Sequence, residues 1–114
     1  MILLVDDDPD VRDVLREVLS DANHEVALAG NGAEALAMLR DSCKPNVVLL
    51  DWMMPTMDGA RFREEQRNDP ALASIPVVIL SASARIEVDA GVAAILRKPL
   101  RLDELLDVAA RFDR

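Results

Sequence analysis

Ile2-Leu3-Leu4-Val5-Asp6-Asp7-Asp8-Pro9 is the stretch on which the fold turns. Four apolar residues run straight into three carboxylates and a proline. A short continuous apolar run that stops at turn residues fits a strand buried on both faces. Asp8-Pro9 then reads as a helix start, with a capping carboxylate and a proline at the first helical position. Val11, Val14, Leu15, Val18 and Leu19 follow at helical spacing. A buried strand that passes directly into a helix is the opening half of a parallel β-α-β unit.

Working outward, the same pattern returns. Val47-Val48-Leu49-Leu50 ends in Asp51, and a strand is predicted over 46–51. Ile75-Pro76-Val77-Val78-Ile79-Leu80 ends in Ser81, with a strand over 76–81. Ala94-Ile95-Leu96 leads to Lys98-Pro99, with a strand over 94–97, and residues 25–29 form a weaker second strand. Between them, Asn31 and Glu34 resemble a capping box, followed by the apolar side Ala35, Leu36, Met38 and Leu39. Asp58-Gly59 opens a third helix through about Asn68, and the last helix covers 102–112. Alternating strands and helices predict an α/β fold, a doubly wound parallel sheet with helices on both faces. Only sixteen residues separate Ser81 from Lys98. They must hold a loop, a helix and a strand, so a fourth helix, near Arg85 to Ala90, is expected to be shortened or irregular.

With 114 residues, one domain spanning 1–114 is expected. Hydrophobic residues make up 51%, enough to cover both faces of a small sheet, while aromatics are only 3%, so the core is aliphatic. The net charge of −8, with no basic patch, argues against direct nucleic-acid binding. No apolar run approaches the length of a membrane span, so no membrane partner is expected. Cys43, the sole cysteine, cannot form an internal disulfide and fits a reducing, cytoplasmic setting.

In an open parallel sheet, ligands bind outside the carboxyl ends of the strands. Four strands deliver Asp6, Asp7, Asp51, Ser81 and Lys98 to that edge. Several carboxylates, a hydroxyl and an ammonium suit a divalent metal together with a phosphoryl group. Asp51 is the candidate nucleophile, since a carboxylate can attack phosphorus to form an aspartyl phosphate. Asp6 and Asp7 are candidate carboxylates for Mg²⁺, which takes oxygen ligands and keeps several waters. Lys98 and Ser81 can donate to phosphoryl oxygens, and Pro99 allows a cis bond after Lys98.

In order and spacing these pieces resemble the receiver domain of two-component response regulators across essentially the whole chain. Ile-Leu-Leu-Val-Asp-Asp-Asp-Pro resembles the family's first strand and acidic pair. Val-Val-Leu-Leu-Asp-Trp-Met-Met-Pro-Thr-Met-Asp-Gly resembles its phosphoacceptor strand and loop. Pro-Val-Val-Ile-Leu-Ser-Ala resembles the switch strand, and Leu-Arg-Lys-Pro-Leu the lysine turn. The resemblance implies a flavodoxin-like (CheY-like) five-stranded sheet of order 2-1-3-4-5. It implies phosphorylation of Asp51 by a histidine kinase or phosphotransfer protein. It implies Mg²⁺, with Mn²⁺ as a substitute, held by Asp7, Asp51 and the backbone carbonyl of Met53, and by Asp6 mainly through water. Ser81 would move toward the phosphoryl group, Lys98 would contact it, and binding to an output protein would change, with homodimerisation one form of that change. Such a chain catalyses its own phosphorylation and dephosphorylation and is not a conventional turnover enzyme. Two departures stand out. Ile95 occupies the place where the family usually has Tyr or Phe, and the segment 82–93 is short.

Plainer readings compete. A receiver fold used as an unphosphorylated interaction module fits Ile95 but leaves the acidic set without a purpose. A phosphohydrolase would need a second Asp where Met53 stands, and a nuclease-like Asp6-x-Asp8 pair lacks an acidic residue on an earlier strand. Asp8 and Asp58 read as helix caps. Trp52 and Met54 read as packing, His24 as a lone turn residue, and Cys43 as an inert thiol. Arg85, Glu87, Asp89, Arg97 and Arg101 line either an output face or a solvated one.

Overall fold

The computed structural model describes every residue except Ser42, Pro55, Thr56, Ala84, Arg85, Glu87, Ala90 and Arg114. Five strands form one parallel sheet: β1 (Ile2–Val5), β2 (Val26–Ala29), β3 (Val47–Asp51), β4 (Val77–Ser81) and β5 (Ala94–Arg97). Their spatial order is β2-β1-β3-β4-β5. The helices among the described residues are α1 (Pro9–Asp21), α2 (Gly32–Asp41), α3 (Gly59–Arg67) and α4 (Leu102–Phe112).

The two sides of the sheet follow from the period of two along each strand. Leu3, Val5, Val48, Leu50, Val77 and Ile79 pack under α2 and α3 with Leu36, Leu39 and Phe62. Ile2, Leu4, Val47, Leu49, Val78 and Leu80 pack under α1 and α4 with Leu15, Leu19, Leu105 and Val108. Right-handed crossovers require this division. The step from β1 to β2 runs one way across the sheet and the later steps run the other, so α1 lies opposite α2 and α3. Every residue of β1, β3 and β4 is buried, which is why these strands read as unbroken apolar runs.

The helix ends match their sequence signals. Asp8 Oδ1 accepts from the backbone N–H of Asp10 at 2.9 Å and of Val11 at 3.4 Å, with Pro9 in the first turn. Asn31 Oδ1 accepts from Glu34 N at 2.8 Å, and Glu34 Oε2 reaches back to the N–H of Gly30 at 3.1 Å, one residue short of a standard capping box. Asp58 Oδ1 caps α3 through Arg61 N at 2.9 Å.

The crossover from β4 to β5 contains no helix among its described residues. Half of the residues of the helix expected near Arg85 to Ala90 lie outside the described residues, Arg85 and Glu87 of the suggested output face among them. Ile86, Val88 and Val92 pack against the α2/α3 side of the core, where a crossover helix would sit. Ile95 shares a sheet face with its register partner Ile79 yet remains 43% exposed. No helix among the described residues is long and apolar enough to cross a membrane.

Candidate functional site at the carboxyl edge of the sheet

β1 and β3 are neighbours, so parallel register brings Asp6, Asp7 and Asp51 to one edge. One carboxylate oxygen from each lies within 4.8 Å of the others. Asp6 and Asp51 are buried, at 1% and 6% exposure, and Asp7 faces solvent. Two full charges at such a distance repel by about 3–4 kcal/mol at an effective dielectric near 20. The repulsion appears at Asp51, whose carboxyl is pushed up to about 6, by burial first and by the charge of Asp6 second. Lys98 and a hydrogen bond from the Met53 backbone N–H pull the other way and do not cancel it.

Lys98 comes from the loop after β5. Its Nζ lies 3.4 Å from Asp51 Oδ1 and 3.7 Å from Asp6 Oδ2. The Lys98–Pro99 bond is cis, as the proline allowed. Asp6 Oδ1 accepts from Asp8 N at 2.9 Å, whereas Asp6 Oδ2 is buried with no hydrogen-bond partner. A buried carboxylate oxygen without a donor is costly. Oriented beside two other carboxylates, it fits a site for a hard divalent cation.

Ser81 ends β4 one residue after Leu80, the register partner of Asp51, and is 1% exposed. Its hydroxyl is turned into a local loop. Ser83 N donates to Ser81 Oγ at 3.1 Å, and the hydroxyl in turn donates to Ser83 O at 3.3 Å. Lys98 N donates to Ser81 O at 2.8 Å, so the hydroxyl strand and the lysine loop share one backbone link. Trp52 is 8% exposed beside the site, and Gly59 N donates to Trp52 O at 2.9 Å. A Cβ on Gly59 would stand 2.4 Å from Trp52 Cε3, so only glycine allows this return of the β3–α3 loop. Met53 is 70% exposed at the rim, while Met54 is core.

The sequence comparisons decide the family. The response regulator receiver domain family matches residues 2–110. The chain belongs to the response regulator receiver domains. It is 40% identical over 110 residues to "Response regulator MprA" of Mycobacterium sp. (strain KMS), covering 92% of this chain and 46% of that protein. The receiver thus spans about half the length of the curated relatives it matches. A putative response regulator from Chloroflexus aurantiacus superposes with a TM-score of 0.86 at 31% identity, over 99% of this receiver and 97% of that chain. The response regulator TrrA of Thermotoga maritima, solved in complex with Mg²⁺-BeF, gives 0.85 at 28% identity, over 97% and 96% of the two chains.

The receiver's other singled-out residues serve structure. Asp8 serves as a helix cap, and the cluster of carboxylates among the described residues is Asp6, Asp7 and Asp51. His24 Nδ1 lies 2.6 Å from Asp113 Oδ2, a link between the α1–β2 turn and the end of α4. Cys43 is partly buried, and burial pushes its thiol up. Arg101 makes surface pairs with Asp103 at 3.5 Å and Glu104 at 3.6 Å.

Asp89 is half-buried, its side chain still 18% exposed, and is paired with the buried Arg63. Two arginines escaped the sequence reading. Arg12 Nη1 donates to Asp6 O at 3.3 Å, and Gly30 leaves room for its guanidinium. Arg63 is 4% exposed on α3. Neither stands next to an apolar run or a turn signal, so periodicity had nothing to report.

Proposed function

We propose that this receiver, as one domain over 1–114, is a phosphorylation-activated switch of a two-component phosphorelay. Its phosphoacceptor is Asp51, and the donor is a histidine kinase or histidine phosphotransfer protein. The observation that carries this reading is the buried, raised carboxyl of Asp51 facing Lys98, with the orphaned Asp6 Oδ2 beside it. Asp6, Asp7, Asp51 and the Met53 backbone carbonyl would hold Mg²⁺, or Mn²⁺ in its place. The cation supplies charge neutralisation for the crowded carboxylates and the incoming phosphoryl oxygens.

This chain's residues do the rest. An Asp51 oxygen forms a bond to phosphorus as the donor's N–P bond breaks. The bonding pair leaves on the imidazole nitrogen, which takes up a proton. Lys98, already within 3.4 Å of Asp51, pairs with an oxygen of the transferred group. Ser81 leaves its turn with Ser83 and donates to another. Such catalysis consists of positioning and electrostatics. It serves switching rather than substrate turnover. The phosphoryl group adds about two negative charges and biases the chain between two conformations. The readout is altered binding to an output protein or to a second copy, with no role for nucleic acid or membrane at this domain.

The test is site mapping with phosphoramidate, a small N–P donor. Label on the Asp51 peptide that requires Mg²⁺ supports the reading. Label elsewhere, or label indifferent to Mg²⁺, contradicts it.

A further inference from the structure

The β4–β5 crossover is tied to the body of the protein by a buried charge. The Arg63 guanidinium donates to both oxygens of Asp89, Nε to Oδ1 at 3.0 Å and Nη2 to Oδ2 at 2.5 Å. Its remaining nitrogen, Nη1, donates to Gln66 Oε1 at 2.6 Å. Gln66 is fully buried and spends its amide protons on the carbonyls of Leu72 and Ile75, each at 3.0 Å. Gly91 completes the cradle. Its N–H donates to Asp89 Oδ2 at 3.0 Å, and a Cβ there would stand 2.9 Å from that oxygen and 3.0 Å from Arg63 Nη2. A buried cation with each of its three nitrogens bonded in this way is a fixed point, because losing its carboxylate leaves an unpaired charge inside.

The position of this fixed point matters. Asp89 lies eight residues after Ser81, the hydroxyl expected to move on phosphorylation. The Ser81 hydroxyl is held to Ser83 by neutral hydrogen bonds of 3.1 and 3.3 Å, whereas Asp89 is held by a bidentate charge-assisted pair. The hold on the Ser81 hydroxyl is the weaker of the two. The Arg63–Asp89 pair adds a charged tie to the packing of Ile86, Val88 and Val92 against the core.

We propose that Arg63 and Asp89 are positioning residues of the switch, anchoring the far end of the Ser81–Asp89 stretch so that displacement of Ser81 becomes a defined rearrangement of that surface. The inference rests on phosphorylation of Asp51. Without the anchor, the stretch absorbs the displacement by loosening, and no distinct second state forms.

The test is hydrogen exchange of the full chain with Mg²⁺, with and without acetyl phosphate, while intact mass reports the adduct. Wild type is compared with D89N and with R63Q/D89N, which buries no unpaired charge and guards against loss of folding. In wild type, phosphorylation is expected to change exchange across residues 82–93. In both variants those amides exchange at least about tenfold faster in either state and the phosphorylation-dependent difference disappears, while adduct yield stays within about twofold. A folded double variant that keeps the wild-type difference overturns the proposal. So does a yield that falls about tenfold, which would place the pair in phosphoryl transfer itself. An adduct on wild type with no exchange difference overturns the anchor alone, whereas no adduct on wild type removes the reading of Asp51 and the anchor with it.

Discussion

Asp51 carries the chemistry because its surroundings make its charge expensive. Its carboxyl is raised to about 6, so between about pH 4 and pH 6 the folded chain holds a proton that the unfolded chain has released. Stability therefore falls as pH rises through that window, and the strain is fully present at pH 7. Two outcomes are expected. Asp51→Asn stabilises the metal-free protein by about 1–2 kcal/mol at pH 7 and by much less at pH 4.5, as read from urea unfolding. Mg²⁺ affinity, followed by Trp52 fluorescence, falls up to about tenfold per pH unit below pH 6, as protons compete for the same oxygens. A third residue-scale expectation concerns Gly59. Gly59→Ala forces a Cβ to within 2.4 Å of Trp52 and costs about 1–3 kcal/mol, with a shift in tryptophan emission.

At the scale of elements, the helix starts and the crossovers set what the edge of the sheet presents. Asp8 caps α1 while Asp6, two residues earlier, turns toward the site an oxygen that has no hydrogen-bond donor and lies 3.7 Å from Lys98 Nζ. Asp8→Ala should cost about 1 kcal/mol in thermal or urea unfolding, the usual worth of a cap, and leave Mg²⁺ affinity within about twofold. A large loss of Mg²⁺ binding would show that Asp8 belongs to the metal site. The β4–β5 crossover is stabilised through Asp89, whose carboxyl Arg63 holds down to about 2. Its contribution is complete above the unfolded value near pH 4 and is lost as pH falls toward 2. Asp89→Ala should lower stability at pH 7 by about 2–3 kcal/mol and by progressively less as the pH approaches 2.

Across the whole molecule, what could be read in advance was whatever leaves a local trace. Buried parallel strands are continuous apolar runs, and β1, β3 and β4 showed as such, as did the polar residues closing them; β5 showed as a short apolar run although only Leu96 in it is buried. Because parallel strands all present their carboxyl ends on one side, Asp6, Asp7, Asp51, Ser81 and Lys98 could be assigned to one edge before any distance was known. β2 was weaker because three of its four residues are only half-buried, so its pattern is diluted. The Ser81–Ser83 turn and the Arg63–Asp89 anchor left no trace, since they depend on which loops meet in space. Asp89 read from sequence as one of a set of surface charges, and its pairing with Arg63 was hidden for the same reason.

The central claim is that Asp51 accepts a phosphoryl group with the help of a cation held by its neighbours. The most direct measurement is intact mass after incubation with Mg²⁺ and acetyl phosphate, beside Asp51→Ala and a Mg²⁺-free control. The account predicts a gain of about 80 Da, one phosphoryl group, that requires Mg²⁺ and is lost in Asp51→Ala. An unchanged mass in folded, Mg²⁺-containing protein, or an adduct that survives Asp51→Ala, would contradict it.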